Sequence, residues 1–179
     1  MSGPMAKRCV FFDRDGIVNV PPSDIDRYVL HVDKFIMIDA FVEALRVVHQ
    51  KGYEAILVTN QKGVGTGRMT AAALQEIHDK MLADLRGHGL ELADIYVCTD
   101  ATDESPDRKP NPGMLHRAAR KHGLDLTASW MVGDSEKDAV AGKRAGCRTV
   151  LVSAGHKPTI ADHRLTDMKQ LPAFLDEHL

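Results

Sequence analysis

The chain has 179 residues, 44% of them hydrophobic, and a formal net charge of -2. This is enough apolar material for one compact domain over 1–179, and the near-neutral balance, with basic residues spread along the chain, excludes the electrostatic footprint of a nucleic-acid or anionic-membrane binder. The apolar run after Arg8 is far too short for a signal-peptide core or a membrane span, so a cytoplasmic protein acting on a small molecule is expected.

In chain order, the apolar run Cys9 to Phe12 predicts a buried strand that ends abruptly in Asp13-Arg14-Asp15-Gly16. Asp39 is placed to cap a helix with Phe41, Val42, Leu45 and Val48 on one face, stopped by Gly52. A second strand spans Ala55 to Thr59. After it, Thr70 is expected to cap a helix whose Leu74, Ile77, Met81, Leu82 and Leu85 recur at three- and four-residue spacing. Ile95 to Cys98 forms a third strand. Asn111 and Pro112 read as a cap and a first-turn proline before a helix with Met114, Leu115, Ala118 and Ala119 inward and Gly123 beyond its end. Trp130 to Val132 and Thr149 to Val152 are further strands, separated by a helix from about Ser135 to Ala145, and Leu171 to Leu179 closes the chain as a short helix. Strands alternating with amphipathic helices specify an α/β fold, a Rossmann-like, doubly wound parallel sheet. Cys9, Cys98 and Cys147 lie in or beside apolar runs at wide spacing, which fits buried, reduced thiols rather than a disulfide framework.

In such a sheet ligands bind outside the carboxyl ends of the strands, and polar clusters follow the runs there: Asp13-Arg14-Asp15-Gly16, Thr59-Asn60-Gln61, Arg108-Lys109-Pro110, and Gly133-Asp134-Ser135 with Asp138. At a strand end, residues two apart project to the same side, so Asp13 and Asp15 can face one small volume while Arg14 points away. Their repulsion calls for a cation or a shared proton, and if Asp134 joins them the all-oxygen set suits Mg²⁺. A calcium loop is excluded because Val18 stands where its glycine is needed. Gly16 lets the chain turn. Thr59 and Asn60 offer a hydroxyl and an amide to phosphate oxygens, and Lys109 a fixed positive charge. Asp138 lies one helical turn beyond Asp134. Gly63, Gly65 and Gly67 after the second strand suggest, as an alternative, the dinucleotide loop of an oxidoreductase, but the third glycine comes one position early and no acid follows at the required distance.

These ordered motifs, with "FFDRDGIVN", Tyr28-Val29, "VTNQKGVGTG" and "RKPNPGML", resemble the haloacid dehalogenase superfamily of phosphatases, and within it the branch acting on heptose 1,7-bisphosphate or histidinol phosphate. The resemblance implies no large cap domain, a monomer, and a small phosphorylated metabolite as the partner, with heptose bisphosphate favoured, as in lipopolysaccharide precursor synthesis. It implies that Asp13 attacks phosphorus and that Asp15 protonates the leaving alcohol and then activates water. Thr59 and Lys109 would hold the phosphoryl oxygens, and Mg²⁺ would sit on Asp13, the Asp15 carbonyl and Asp134, with Gly16 and Ser135 supporting that shell and Asp138 ordering either it or Lys109 from behind. Asn60, Gln61, Lys62, Arg108 and Tyr28 are the expected substrate contacts. Arg108, Lys62 and Arg68 offer charge for a second phosphate, whereas Asp24, Asp26 and Asp103 offer carboxylates for the ammonium of histidinol phosphate. The chain departs from the family at four places. Ile17 replaces the usual threonine, Ser135 differs from the residue common after the metal acid, and Val20 to Val29 is longer than the heptose pattern. Cys98-Thr99-Asp100 and Ser105-Pro106-Asp107 replace the Cys-x-His and Cys-x-Cys of a structural zinc, so no zinc is expected and packing is expected to hold that loop.

Overall fold

The computed structural model describes residues 6–23 and 28–179. Six parallel strands, β1 (Cys9–Phe12), β2 (Glu54–Asn60), β3 (Asp94–Cys98), β4 (Trp130–Gly133), β5 (Arg148–Val152) and β6 (His163–Leu165), form one sheet in the order β3-β2-β1-β4-β5-β6. Both faces are covered. Val10 and Phe12 of β1 point into a core with Phe41, Leu45, Ile77, Met81 and Leu175, whereas Cys9 and Phe11 point into a second core with Met114, Leu115 and Ala118. A strand buried on both sides needs an unbroken apolar run, which is why these strands are visible in the sequence.

The helices are α1 (Asp39–Gln50), α2 (Lys62–Gly65), α3 (Ala71–Gly87), α4 (Gly113–His122), α5 (Glu136–Ala145) and α6 (Leu171–His178). Thr70 caps α3 as expected, its side chain accepting from Ala73 N, and Gly123 ends α4 in the left-handed conformation at φ 65°. Two caps differ from expectation. Ile38 occupies the N-cap of α1, leaving Asp39 as an acid in the first turn, where it complements the helix dipole. Asn111 does not cap α4, because its amide donates to the carbonyls of Asp103 and Ser105 and so ties down the preceding loop. The three-residue β6 and the short α2 were not anticipated; β6 is polar, lies at the sheet edge and pairs only with β5.

In this strand order the winding reverses between β1 and β4, and there the loops after both strands diverge to open a crevice. Register fixes what faces it: Phe12 pairs with Leu57 on one side and Val132 on the other, and Asp13 N donates to Val132 O at 3.0 Å. Among the described residues no large cap covers this edge, and no helix is long and apolar enough to cross a membrane.

Candidate active site

The polar clusters meet at the crevice. Lys109, only 2% exposed, donates from Nζ to Asp13 Oδ1 at 2.8 Å, Asp138 Oδ1 at 2.6 Å and Val58 O at 2.8 Å. All three of its N–H bonds are therefore committed, and the flanking carboxylates hold its charge firmly, its pKa raised despite the opposing effect of burial. Asn60 sets its backbone: Nδ2 donates to Lys109 O at 2.9 Å while Oδ1 accepts from Lys109 N at 3.1 Å. Asp138 is clamped from the other side, Oδ2 accepting from Ser135 N and Oγ at 3.1 and 2.9 Å.

Carboxylate oxygens of Asp13, Asp134 and Asp138 lie within 4.8 Å of one another. Burial first, then the neighbouring carboxylates, push Asp134 up to about 8. Burial likewise pushes Asp13 up to about 7, with Lys109 opposing. Asp138 has its oxygens taken by Lys109 and Ser135, so Asp13 and Asp134 are the acids with capacity left for a cation. A hard divalent ion fits this donor set, because a single ammonium leaves the cluster with surplus negative charge that burial makes costly. Gly16, at φ 84°, is required by the same cluster: a Cβ there would stand 2.1 Å from Asp134 Oδ2. Gly133 likewise leaves room for Asp138.

The carboxylate of Asp15 lies apart from the three-acid cluster. Its Oδ1 accepts from Asn19 Nδ2 at 3.0 Å and Arg14 Nη2 at 3.1 Å, and its Oδ2 from Gln61 Nε2 at 3.2 Å. The same Gln61 nitrogen donates to Thr59 Oγ1 at 2.9 Å. Arg14 does point away from Asp13, but into the interior: it is 0% exposed, and Nη1 lies 3.2 Å from His78 Nε2 on α3. Burial and the guanidinium push His78 down to about 4, so the neutral ring accepts that hydrogen bond. Arg14, Asn19 and His78 were not among the expected site residues. The available signal for His78 was its place on the apolar face of α3, between Ile77 and Met81.

The other expected contacts divide. Asn60 is half-buried and clasps Lys109, and the buried Gln61 bonds Asp15 and Thr59 through Nε2, so these groups hold the machinery, while Gln61 Oε1 is buried without a hydrogen-bond partner among the described residues. Tyr28 packs its ring over Gly63, and a Cβ on Gly65 would strike Thr99 O at 2.1 Å; these glycines serve close packing. Lys62 is half-buried on α2. Arg108 is buried and ion-paired through Nε to Asp103 Oδ1 at 2.8 Å, while Nη1 reaches Asp100 O at 3.4 Å. The expected charge for a second phosphate is thus partly neutralised there. Asp24 and Asp26 lie outside the described residues.

Hydrogen bonding as well as packing holds the loop after β3. Ser105 Oγ donates to Asp100 Oδ2, and Cys98 Sγ lies 3.8 Å from both Asp100 Oδ2 and Ser105 Oγ. Asp107 pairs instead with Arg117.

The HAD-hydrolase-like family profile matches residues 107–175. The D-glycero-beta-D-manno-heptose-1,7-bisphosphate 7-phosphatase of Pasteurella multocida is 37% identical over 164 residues, 87% of this chain and 86% of its own. The D-glycero-alpha-D-manno-heptose-1,7-bisphosphate 7-phosphatase of Burkholderia mallei is 36% identical over 156 residues, 83% of this chain and 80% of its own. Among solved structures, the D,D-heptose 1,7-bisphosphate phosphatase of B. bronchiseptica, complexed with magnesium and phosphate, superposes with a TM-score of 0.84 at 31% identity, over 96% of this chain and 99% of that one.

Proposed function

On the premise that this chain belongs to the haloacid dehalogenase-like phosphatases, we propose that it is a Mg²⁺-dependent phosphomonoesterase acting on a D-glycero-D-manno-heptose 1,7-bisphosphate and releasing the 7-phosphate. The observation that carries the chemistry is the placement of Asp13: one oxygen is fixed by Lys109, and the carboxylate stands beside Asp134 at the crevice between β1 and β4. The relatives' names divide between the alpha and beta anomers, so the proposal is made for the heptose bisphosphate without an anomer.

In the first half-reaction a carboxylate oxygen of Asp13 attacks phosphorus, the bond to the leaving oxygen breaks, and Asp15 gives that oxygen a proton. In the second, Asp15 takes a proton from water as the water attacks the aspartyl-phosphate, and the Asp13 carboxylate and inorganic phosphate are released. Thr59 supplies a hydroxyl to the phosphoryl oxygens. Lys109 has every N–H bond engaged, so its part is a fixed positive charge that orients Asp13 and offsets charge building on the phosphoryl group. Asp13 and Asp134, with the Asp15 carbonyl, would hold Mg²⁺, which when bound neutralises the phosphate dianion against the acids. Asp138 and Ser135 keep Lys109 in place, and Gly16 keeps Asp134 within reach. Tyr28, Lys62 and Arg108 are the proposed sugar contacts. The hydrogen-bonded Cys98, Asp100 and Ser105 support a zinc-free loop. A cytoplasmic single-domain monomer completes the proposal.

Histidinol phosphate is the competing substrate, and its ammonium requires a free carboxylate; the Asp103–Arg108 ion pair engages the acid for that ammonium and the cation for a second phosphate alike, so the relatives' names are what favour the bisphosphate. The test compares kcat/KM for heptose 1,7-bisphosphate and histidinol phosphate with and without Mg²⁺, in wild type and Asp13→Asn. Preference for the bisphosphate, dependence on Mg²⁺ and abolition in Asp13→Asn are expected; full activity with chelator or in the variant overturns the mechanism.

A further inference from the structure

Gln61 stands between two groups of the reaction, and its hydrogen bonds have a direction. The residue follows β2 and is 1% exposed, with its backbone pinned on both sides: Gln61 N donates to Cys98 O at 2.7 Å, and Gln61 O accepts from Val64 N at 3.2 Å. From that place Nε2 donates to Thr59 Oγ1 at 2.9 Å and to Asp15 Oδ2 at 3.2 Å. Both amide hydrogens are thereby spent on the hydroxyl and on the acid. The other end of the amide is left over, since among the described residues Oε1 is buried with no hydrogen-bond partner.

A buried acceptor left unpaired costs free energy, so another contact must outweigh it. Turning the amide over would aim Oε1 at Asp15, and a carboxylate paired with the buried Arg14 guanidinium has no hydrogen to offer it. Asp15 therefore fixes which end of the amide faces Thr59. The consequence falls on the hydroxyl: Thr59 Oγ1 accepts from Nε2, and among the described residues no protein group takes its own hydrogen, which stays available to a ligand. With the amide reversed, Oε1 would take that hydrogen.

We propose that Gln61 is a positioning residue: held in one sense by Asp15, its amide keeps the Thr59 hydroxyl turned outward as a donor, so that its bond to a phosphoryl oxygen is ready as charge builds there. The proposal rests on the phosphatase reading above, in which Thr59 meets the phosphoryl group. It ties the acid and the hydroxyl to one tether, in place of the expected contact between Gln61 and substrate.

The experiment is a double-mutant cycle on Thr59 and Gln61, read as kcat and KM for heptose 1,7-bisphosphate and for p-nitrophenyl phosphate, with Tm recorded for every variant. Gln61→Met fills much the same space without the donors, and Gln61→Leu repeats the cycle with a second apolar side chain in case one variant does not fold. Thr59→Val removes the hydroxyl and Thr59→Ser keeps it. With Thr59 or Ser at that position, loss of the Gln61 amide is expected to lower kcat about 10- to 100-fold, with KM changed by less than about threefold and Tm by a few degrees. In Thr59→Val the same replacement is expected to lower kcat by about threefold or less, because the group it acts through is gone. Losses of equal size with and without the hydroxyl overturn the proposal, as does wild-type kcat in the Gln61 variants. Failure of both Gln61 variants to fold also overturns it, by assigning the amide to the core. If wild type hydrolyses p-nitrophenyl phosphate but not the heptose ester, the cycle on p-nitrophenyl phosphate decides; hydrolysis of neither overturns the phosphatase reading and the tether together.

Discussion

Replacing Gly16 by alanine should separate the cost of backbone strain from the cost of displacing Asp134, the acid proposed to hold Mg²⁺. The methyl group would stand 2.1 Å from Asp134 Oδ2 and 2.7 Å from its Cγ. Van der Waals contact requires the carboxylate to retreat by roughly 1.3 Å, and a displacement of about 1 Å in a catalytic group is worth on the order of 10²-fold in rate. The positive φ of 84° adds a strain of roughly 1–2 kcal/mol, which for a chain of this size lowers Tm by about 2–8 °C. Gly123→Ala supplies the control: its φ is 65° and nothing lies within 4 Å of the added methyl, so it carries the strain without the collision. Thermal unfolding and Mg²⁺ titration of phosphatase activity are the assays. Both variants should lose a similar few degrees, but only Gly16→Ala should need at least about tenfold more Mg²⁺ and turn over about 10²-fold more slowly. An ordinary Mg²⁺ requirement in Gly16→Ala would refute the cradle for Asp134.

Further outcomes follow from the same geometry. Asp13 and Asp134 are raised from 3.8 to about 7 and about 8, so the metal-free folded protein keeps protons that the unfolded chain releases; its stability should decline as pH rises from about 4 to 8. Mg²⁺ needs the ionised acids, so its increment in Tm should be small at pH 5 and large at pH 8, and equal increments would contradict the assignment. Purified protein should hold no stoichiometric zinc by elemental analysis, since Asp100 and Ser105 are hydrogen-bonded to each other; about one zinc per chain after dialysis would show otherwise. Arg14→Lys keeps a buried charge but loses the fork that reaches both Asp15 and His78, so kcat should fall about 10- to 100-fold with KM little changed. A pure loss of stability with normal kcat would assign Arg14 to the core alone.

The strands and their acidic ends are legible in the sequence because burial on both faces demands continuous apolar runs, and Asp13 and Gly133-Asp134 break those runs abruptly. The stripe on α3, the Thr70 cap and the glycine after α4 are equally local, since each depends on residues within a turn or two. Strand order is not local. Only the assembled sheet brings β4 beside β1, so that the carboxylates of Asp13, Asp134 and Asp138 gather in one buried cluster, where burial first and the neighbouring acids after it push Asp13 and Asp134 towards neutral pKa values. The clasp of Asn60 on Lys109 joins residues 49 apart, and the contact of Arg14 with His78 joins residues 64 apart. Neither leaves a periodic trace. The edge strand β6 is three half-buried residues, His163 to Leu165, with no apolar run to announce it. Its pairing with β5 brings Arg164 to a cavity shared with Asp134, because hydropathy periodicity records which face of an element is buried, whereas the partner that buries it is chosen by the packing of the whole chain.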